Sequence, residues 1–164
     1  MPVLYLVACG APPAAELAAG VGRFQEDGWT VCVIATPMAL RFFDAAAVAA
    51  VAGFPVRSEY RQPGEVDPFP PANAVVVAPA TFNTINKWAA GMSDTLALGV
   101  LNELLCSEVP ILAAVWAKEQ LREHPAYSPS VHVLLGEGVR FVGPGSGPTD
   151  FPWEDLAAAL PGRA

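Results

Sequence analysis

Thr81, Asn83 and Thr84 stand close together at the end of an apolar run, Ala74-Val75-Val76-Val77-Ala78, that continues through Pro79-Ala80. Hydroxyl and amide side chains are neutral donors and acceptors, suited to a phosphate or the polar edge of a heteroaromatic ring. A strand that runs from such a cluster into a helix also brings that helix's free N–H groups to the same point, which favours an anion. Two other apolar runs end in comparable residues: Cys9-Gly10-Ala11-Pro12, where Gly10 permits close backbone approach, and Ile34-Ala35-Thr36-Pro37. Thr and Asn at strand-to-helix turns also serve as caps, and for Thr36 taken alone capping is the better reading.

For these three ends to share one crevice, the runs must lie side by side as parallel strands. Val3 to Cys9, Thr30 to Ala35, Ala74 to Ala78, Pro110 to Val115 and Val139 to Val142 read as strands, with a short further one at Pro55 to Glu59. Between them, helical patterns cover Pro13 to Asp27, Met38 to Phe43, Asp44 to Ala52, Asn83 to Ala90, Asp94 to Cys106, Lys118 to Glu123 and Tyr127 to Leu135. Arg61 to Pro71 is too rich in proline for regular structure and reads as an extended loop. Near-continuous apolar strands alternating with helices imply an α/β fold, a doubly wound parallel sheet in a Rossmann-like or flavodoxin-like three-layer sandwich. Gly143 to Pro152 reads as a Gly/Pro-rich flap, and Phe151 to Leu160 as a short closing helix.

The chain has 164 residues, enough for one domain with its own core. Its net charge of −7 leaves no basic patch for nucleic acid or an anionic membrane. Hydrophobic residues make up 53 % and charged residues 15 %, apolar for a small monomer, so an oligomer is expected. Cys9, Cys32 and Cys106 form no close pair, no group of residues has metal-ligand spacing, and the first apolar run, with no basic residues before it and an end at Gly10, falls short of a signal peptide's pattern and of a membrane span. These features read as a reduced, cytoplasmic protein. Neither Gly-x-Gly-x-x-Gly nor Gly-x-x-x-x-Gly-Lys-Ser/Thr occurs, which leaves a mononucleotide as the better fit.

The segment Pro79-Ala80-Thr81-Phe82-Asn83-Thr84 resembles the Pro-Ala-Ser-Ala-Asn-Thr signature of the homo-oligomeric flavin-containing cysteine decarboxylases, which include the phosphopantothenoylcysteine decarboxylases. Thr36, Ala39 and Phe42 match the family's Thr-x-x-Ala-x-x-Phe, and Asn86 to Leu96 match its Ala-Lys-x-Ala-x-Gly-x-Ala-Asp-Asn-Leu with three substitutions. The resemblance implies FMN as cofactor, an FMN-binding domain over residues 1–142 with 143–164 as its flap and last helix, and trimers or multiples of trimers. It places Gly10, Ala11, Pro12 and Thr36 near the phosphate and Phe42 beside the ring. Thr81, Phe82, Asn83 and Thr84 then run along phosphate, ribityl chain and ring edge, and Trp116, where a small residue usually lines the flavin, covers the ring or fills part of the substrate space, with core packing at a strand end an equal reading.

Three family features are altered. Glu65 stands where the catalytic His is usual, and the two histidines, His124 and His132, read as surface or packing residues. In Val115 to Arg122, aligned with the substrate clamp Pro-x-Met-Asn-x-x-Met-Trp, Lys118 replaces the Asn that grips the substrate carboxylate. The flap has no cysteine. A divergent member acting on a different small-molecule or peptide carboxylate is therefore expected, as a decarboxylase-like lyase or an oxidoreductase, with Lys118 or Arg122 holding the carboxylate and Glu65 as base. A solvated loop carboxylate is the plainer reading of Glu65. The alternatives are a non-catalytic FMN-binding scaffold and a flavin prenyltransferase-like activity, for which Lys87 and Arg122 are the only nearby cations. Trp88 and Met92 read equally as interface or core.

Overall fold

The computed structural model describes residues 1–143 and 150–162. Most of the flap expected between Gly143 and Pro152 lies outside the described residues. Five strands, β1 (Val3–Ala8), β2 (Thr30–Ala35), β3 (Ala74–Ala80), β4 (Ile111–Val115) and β5 (Arg140–Phe141), pair in parallel in the order β2-β1-β3-β4-β5. The doubly wound single domain expected from the sequence is present. From β1 the chain winds outward to β2, then returns across β1 to build the sheet in the other direction from β3. The order therefore reverses between β1 and β3, and their carboxyl ends diverge into a crevice there.

Helices α1 (Leu17–Glu26), α2 (Ala45–Ala52) and α7 (Trp153–Ala159) cover one face of the sheet; α3 (Phe82–Ala89), α4 (Leu96–Leu105) and α6 (Tyr127–Gly136) cover the other. The short α5 (Glu119–Arg122) follows β4. Both faces of each inner strand are buried: Leu4, Leu6 and Ala8 pack under α1 and α7, while Val3, Val7 and Cys9 pack under α3 and α4. That is why the strands read as continuous apolar runs rather than as alternating ones.

Several elements differ from the sequence reading, and the helix expected over Met38 to Phe43 is only a 3₁₀ turn, Ala39–Arg41. Pro12 and Pro13 hold the start of the first helix as a 3₁₀ turn, Pro12–Glu16, before α1 begins. The strand expected over Pro55 to Glu59 is a single bridge, in which Arg57 donates to the Val33 carbonyl and accepts from the Ala35 N–H. Pro55 has no N–H to donate, and the loop that begins at Arg61 draws the chain away. Trp88, at 1 % exposure, is core, whereas Met92 is 51 % exposed.

Candidate functional site

The parallel registers bring four strand ends to one edge, where Ala8 lies beside Ala35, Val7 beside Val77 and Ala80 beside Val115. Main-chain bonds tie them together beyond the last pairs. The Cys9 N–H donates to the Pro79 carbonyl, the Thr36 N–H to Ala8 and the Trp116 N–H to Ala80, each at 2.9 Å. Pro79 brings no N–H to the ladder, and the β3–β4 register shifts between Val77 and Ala80. The sequence reading ended this strand at Ala78; it runs on to Ala80, which sets Thr81 at the lip of the crevice.

The crevice is a trough with two lobes that share Gly10, Thr81 and Asn83. One lobe, of about 440 Å³, is lined by Thr36, Met38, Thr84, Lys87 and Thr95. Its threonines close the ends of elements: Thr81 Oγ1 accepts from the Thr84 N–H, Thr95 Oγ1 from Leu98 and Thr36 Oγ1 from Ala39, at 3.2–3.3 Å. Thr36 thus holds the turn that leads into the 3₁₀ segment Ala39–Arg41, whose first residue is its partner, and it also lines the lobe. A capping hydroxyl accepts from the helix and keeps its own O–H to donate, so one residue serves both purposes. Thr81 gives its proton to Thr84 Oγ1, which leaves the buried Thr84 hydroxyl as a donor. Behind Thr81 and Thr95 the first N–H groups of α3 and α4 have no carbonyl in their own helices. Two helix N-termini with partial positive charge therefore border the same lobe.

Lys87, in the last turn of α3, reaches Asp94 Oδ2 at 2.6 Å at the rim of this lobe. Cys9 is fully buried beneath it; burial pushes the thiol pKa up, and hydrogen bonding to Thr84 and Thr81 offsets this only in part. That thiol stays protonated and packs as a small apolar group. Gly10 has a different reason from the one its position suggested. A Cβ there would lie 2.5 Å from Met38 Cγ, so it is the Met38 side chain, itself 54 % exposed, that approaches the backbone at this point.

The second lobe, of about 500 Å³, is walled by Ala11, Phe82, Trp116 and Leu121, with Lys118 and Gln120 at its rim. Phe82 is braced from behind: its ring stacks on Tyr127 with centroids 6.4 Å apart and meets the edge of His124 at 5.3 Å. His124 is itself fixed, since its Nδ1 accepts the Ala126 N–H at 3.0 Å.

The structure thus brings together Gly10, Ala11, Thr36, Thr81, Phe82, Asn83, Thr84, Trp116 and Lys118. It does not bring three other candidates to this trough. Pro12 is exposed at the start of its 3₁₀ turn, and Phe42 is half-buried at the end of another, Ala39–Arg41. Glu65 is exposed in the proline-rich loop, where its carboxylate accepts the Gln62 N–H at 2.9 Å, and lines a separate cleft of about 360 Å³ between that loop and α4. Arg122 is also directed elsewhere: its guanidinium donates to the Ala117 and Val115 carbonyls. Sequence reasoning missed Met38, Thr95, Gln120 and Leu121. Thr95 alone carried a signal, a capping residue at the head of an apolar helix; the others line the trough only through tertiary packing.

Comparison with known proteins agrees with this architecture. A family model described as Flavoprotein matches residues 4–161. The bifunctional coenzyme A biosynthesis protein CoaBC of Mycolicibacterium smegmatis is 32 % identical over 131 residues, covering 77 % of this chain and 31 % of the relative. A cysteine/cysteine sulfinic acid decarboxylase from an unknown prokaryotic organism is 34 % identical over 88 residues, covering 54 % of this chain and 22 % of the relative. The chain thus spans about a third or less of these relatives' length. Among solved structures, a phosphopantothenoylcysteine (PPC) decarboxylase mutant superposes with a TM-score of 0.81 at 18 % identity, covering 96 % of this chain and 95 % of that one. The FMN-dependent cysteine decarboxylase SpaF superposes with a TM-score of 0.76 at 22 % identity, covering 97 % and 98 %. The match over almost its whole length places the chain in the Flavoprotein family.

Proposed function

We propose that the trough holds FMN, and that the protein is a flavin-dependent enzyme, a decarboxylase-like lyase or an oxidoreductase, acting on a small-molecule or peptide carboxylate. The observation that carries this reading is the convergence of two helix N-termini and the Thr36, Thr84 and Thr95 hydroxyls on one lobe. This donor set fits a phosphate without a glycine-rich loop. Lys87 stands at its rim with its charge paired to Asp94. Thr81 and Asn83, shared by both lobes, fit the ribityl chain and the polar ring edge, and Phe82 and Trp116 offer flat apolar walls beside the ring. FMN supplies a reversible electron acceptor when bound, while the protein sets its orientation and surroundings.

The structural neighbours support the same reading, since they include FMN-dependent cysteine decarboxylases and an FMN-binding protein. A prenyl-transfer reading is weaker, because Arg122 is engaged by main-chain carbonyls and Lys87 by Asp94. We place the active form in a homo-oligomer, a trimer or a multiple of trimers, in which a second copy would have to carry Glu65 to the trough. A reduced, cytoplasmic setting suits three unpaired thiols, Cys9, Cys32 and Cys106. Among the described residues no helix is long and apolar enough to cross a membrane.

Purified protein incubated with excess FMN and then desalted should remain yellow; a colourless protein after that treatment overturns the cofactor reading. Anaerobic bleaching of the bound flavin by a carboxylate substrate supports an enzyme. Flavin that stays oxidised, with no carbon dioxide released from any acid tried, supports the non-catalytic scaffold instead.

A further inference from the structure

Thr36 and Thr95 reach the threonine-lined lobe from separate elements, Thr36 from the end of β2 and Thr95 from the head of α4. One segment outside the lobe is bonded at both of these places. Arg57 bridges to β2, donating its N–H to the Val33 carbonyl at 3.1 Å and accepting from the Ala35 N–H at 2.8 Å, next to Thr36. Three residues on, the half-exposed Tyr60 donates its hydroxyl to the Ser93 carbonyl at 3.1 Å, just before Thr95. The short stretch from Arg57 to Tyr60 therefore spans from the end of β2 to the turn that leads into α4.

Both ends of that stretch are fixed. The Arg57 guanidinium pairs with Asp67 at 3.2 Å and lies over the Phe69 ring, 5.4 Å from its centroid. At the other end α4 leaves room for the tyrosine. Gly99 is interior to α4, where glycine weakens a helix, yet a Cβ there would collide with the Tyr60 hydroxyl and lie 3.0 Å from its Cζ. Asn102, on the next turn of α4, donates to the Met92 carbonyl at 2.8 Å and to Ser93 Oγ at 2.9 Å. Ser93 is thus gripped twice, its carbonyl by Tyr60 and its hydroxyl by Asn102. It leads directly into Asp94, the partner of Lys87, and Thr95, whose Oγ1 accepts the Leu98 N–H and closes α4. Neither Tyr60 nor Asn102 lines the lobe itself.

We infer that Arg57 to Tyr60 is a brace that fixes Thr95 and the N-terminus of α4 relative to Thr36, and that Tyr60 and Asn102 are positioning residues for the phosphate of the cofactor. This rests on the FMN reading, in which that lobe holds the phosphate. Helix N–H groups and hydroxyls hold an anion only when their distance and direction are right. A turn left free to shift has to be ordered by the ligand, and the ordering cost is subtracted from affinity. Groups seated in the other lobe do not depend on this turn, so the brace acts on the phosphate alone.

The test compares equilibrium dissociation constants for FMN and riboflavin, read from the quenching of flavin fluorescence; their ratio isolates the phosphate. Tyr60→Phe removes one hydroxyl and should weaken FMN about three- to tenfold, the worth of one hydrogen bond, while riboflavin stays within about twofold. Gly99→Ala, which drives the hydroxyl off Ser93 without removing it, should lower the preference for FMN to the same extent. Tyr5→Phe is the control: the Tyr5 hydroxyl donates to the Pro70 carbonyl at 2.7 Å and anchors the same proline-rich loop away from the lobe, so this variant should keep the parent's ratio. Equal loss of both flavins in Tyr60→Phe overturns the brace, as does a parent-like ratio in both Tyr60→Phe and Gly99→Ala, or a ratio that falls as far in Tyr5→Phe. Failure of the cofactor reading looks different: the parent then binds neither flavin, or binds both alike, before any variant is compared, and the inference goes with it.

Discussion

Thr81 separates structural from ligand-binding roles more cleanly than any other residue of the trough. Its Oγ1 accepts the Thr84 N–H at 3.3 Å and so caps α3, while the residue lines both lobes. Aspartate caps a helix as well as threonine and adds a favourable charge at the N-terminus. Thr81→Asp should therefore unfold within about 0.5 kcal/mol of the parent in urea, yet lose FMN, because a fixed carboxylate then faces the phosphate. Thr81→Ala loses the cap and should cost about 1 kcal/mol. An aspartate variant that retains flavin as tightly as the parent would show that the cap is the residue's sole task. At this scale the sequence was informative wherever chemistry is local: Thr36, Thr81 and Thr84 are caps or donors by type and place. It was silent about Met38, whose approach to Gly10 depends on how the chain leaves β2, and about Phe82 resting on Tyr127, a residue far along the chain. Trp88 shows the same limit, since helical periodicity puts it on a face without saying what lies opposite.

Among the elements, α7 and α1 form the most specific contact away from the trough. A Cβ on Gly20 would lie 2.8 Å from the Trp153 ring, and the same indole donates to Glu16 while Glu154 pairs with Arg23. Gly20 is thus required by close packing of α7, not by its own dihedral angles. Helix propensity alone would favour alanine here by about 1 kcal/mol. Rigid overpacking against an aromatic ring typically costs about 1–3 kcal/mol, so the steric effect should win. Gly20→Ala should lower stability in denaturant titration while FMN uptake is kept, since both residues lie outside the two lobes. A stabilised variant would mean that Trp153 moves aside freely. Helix existence was legible where a cap or a glycine stop marks the ends: Asp44 caps α2 through the Ala46 and Ala47 N–H groups, and Gly53 ends it at φ 80°. Boundaries were less so where proline governs, as at Pro12–Glu16 and Pro55.

For the molecule as a whole, the high hydrophobic content suggested covered surface, and part of the explanation is internal: a sheet buried on both faces has two cores to fill, one under α1, α2 and α7 and one under α3, α4 and α6. Strand order could not be read from the pattern, because each apolar run is compatible with any place in a parallel sheet. Only the tertiary structure shows that the reversal falls between β1 and β3, where the threonine cluster ends β3. A ligand at that reversal touches the loop after β1, the loop after β2 and the first turns of α3 and α4 at once. Binding there should stabilise the entire domain by mass action, provided the unfolded chain has no affinity. At free FMN about a hundredfold above its dissociation constant, the gain is about 2.7 kcal/mol. For a chain of this size that corresponds to a rise in Tm of roughly 5–10 °C. Riboflavin lacks the phosphate that the helix N-termini would hold, so at equal concentration it should give a clearly smaller rise. Differential scanning fluorimetry with each ligand, followed through tryptophan emission, measures both. Equal shifts for FMN and riboflavin would mean that the threonine-lined lobe holds no phosphate, whereas a graded response ties the site's electrostatics to the stability of the whole sheet.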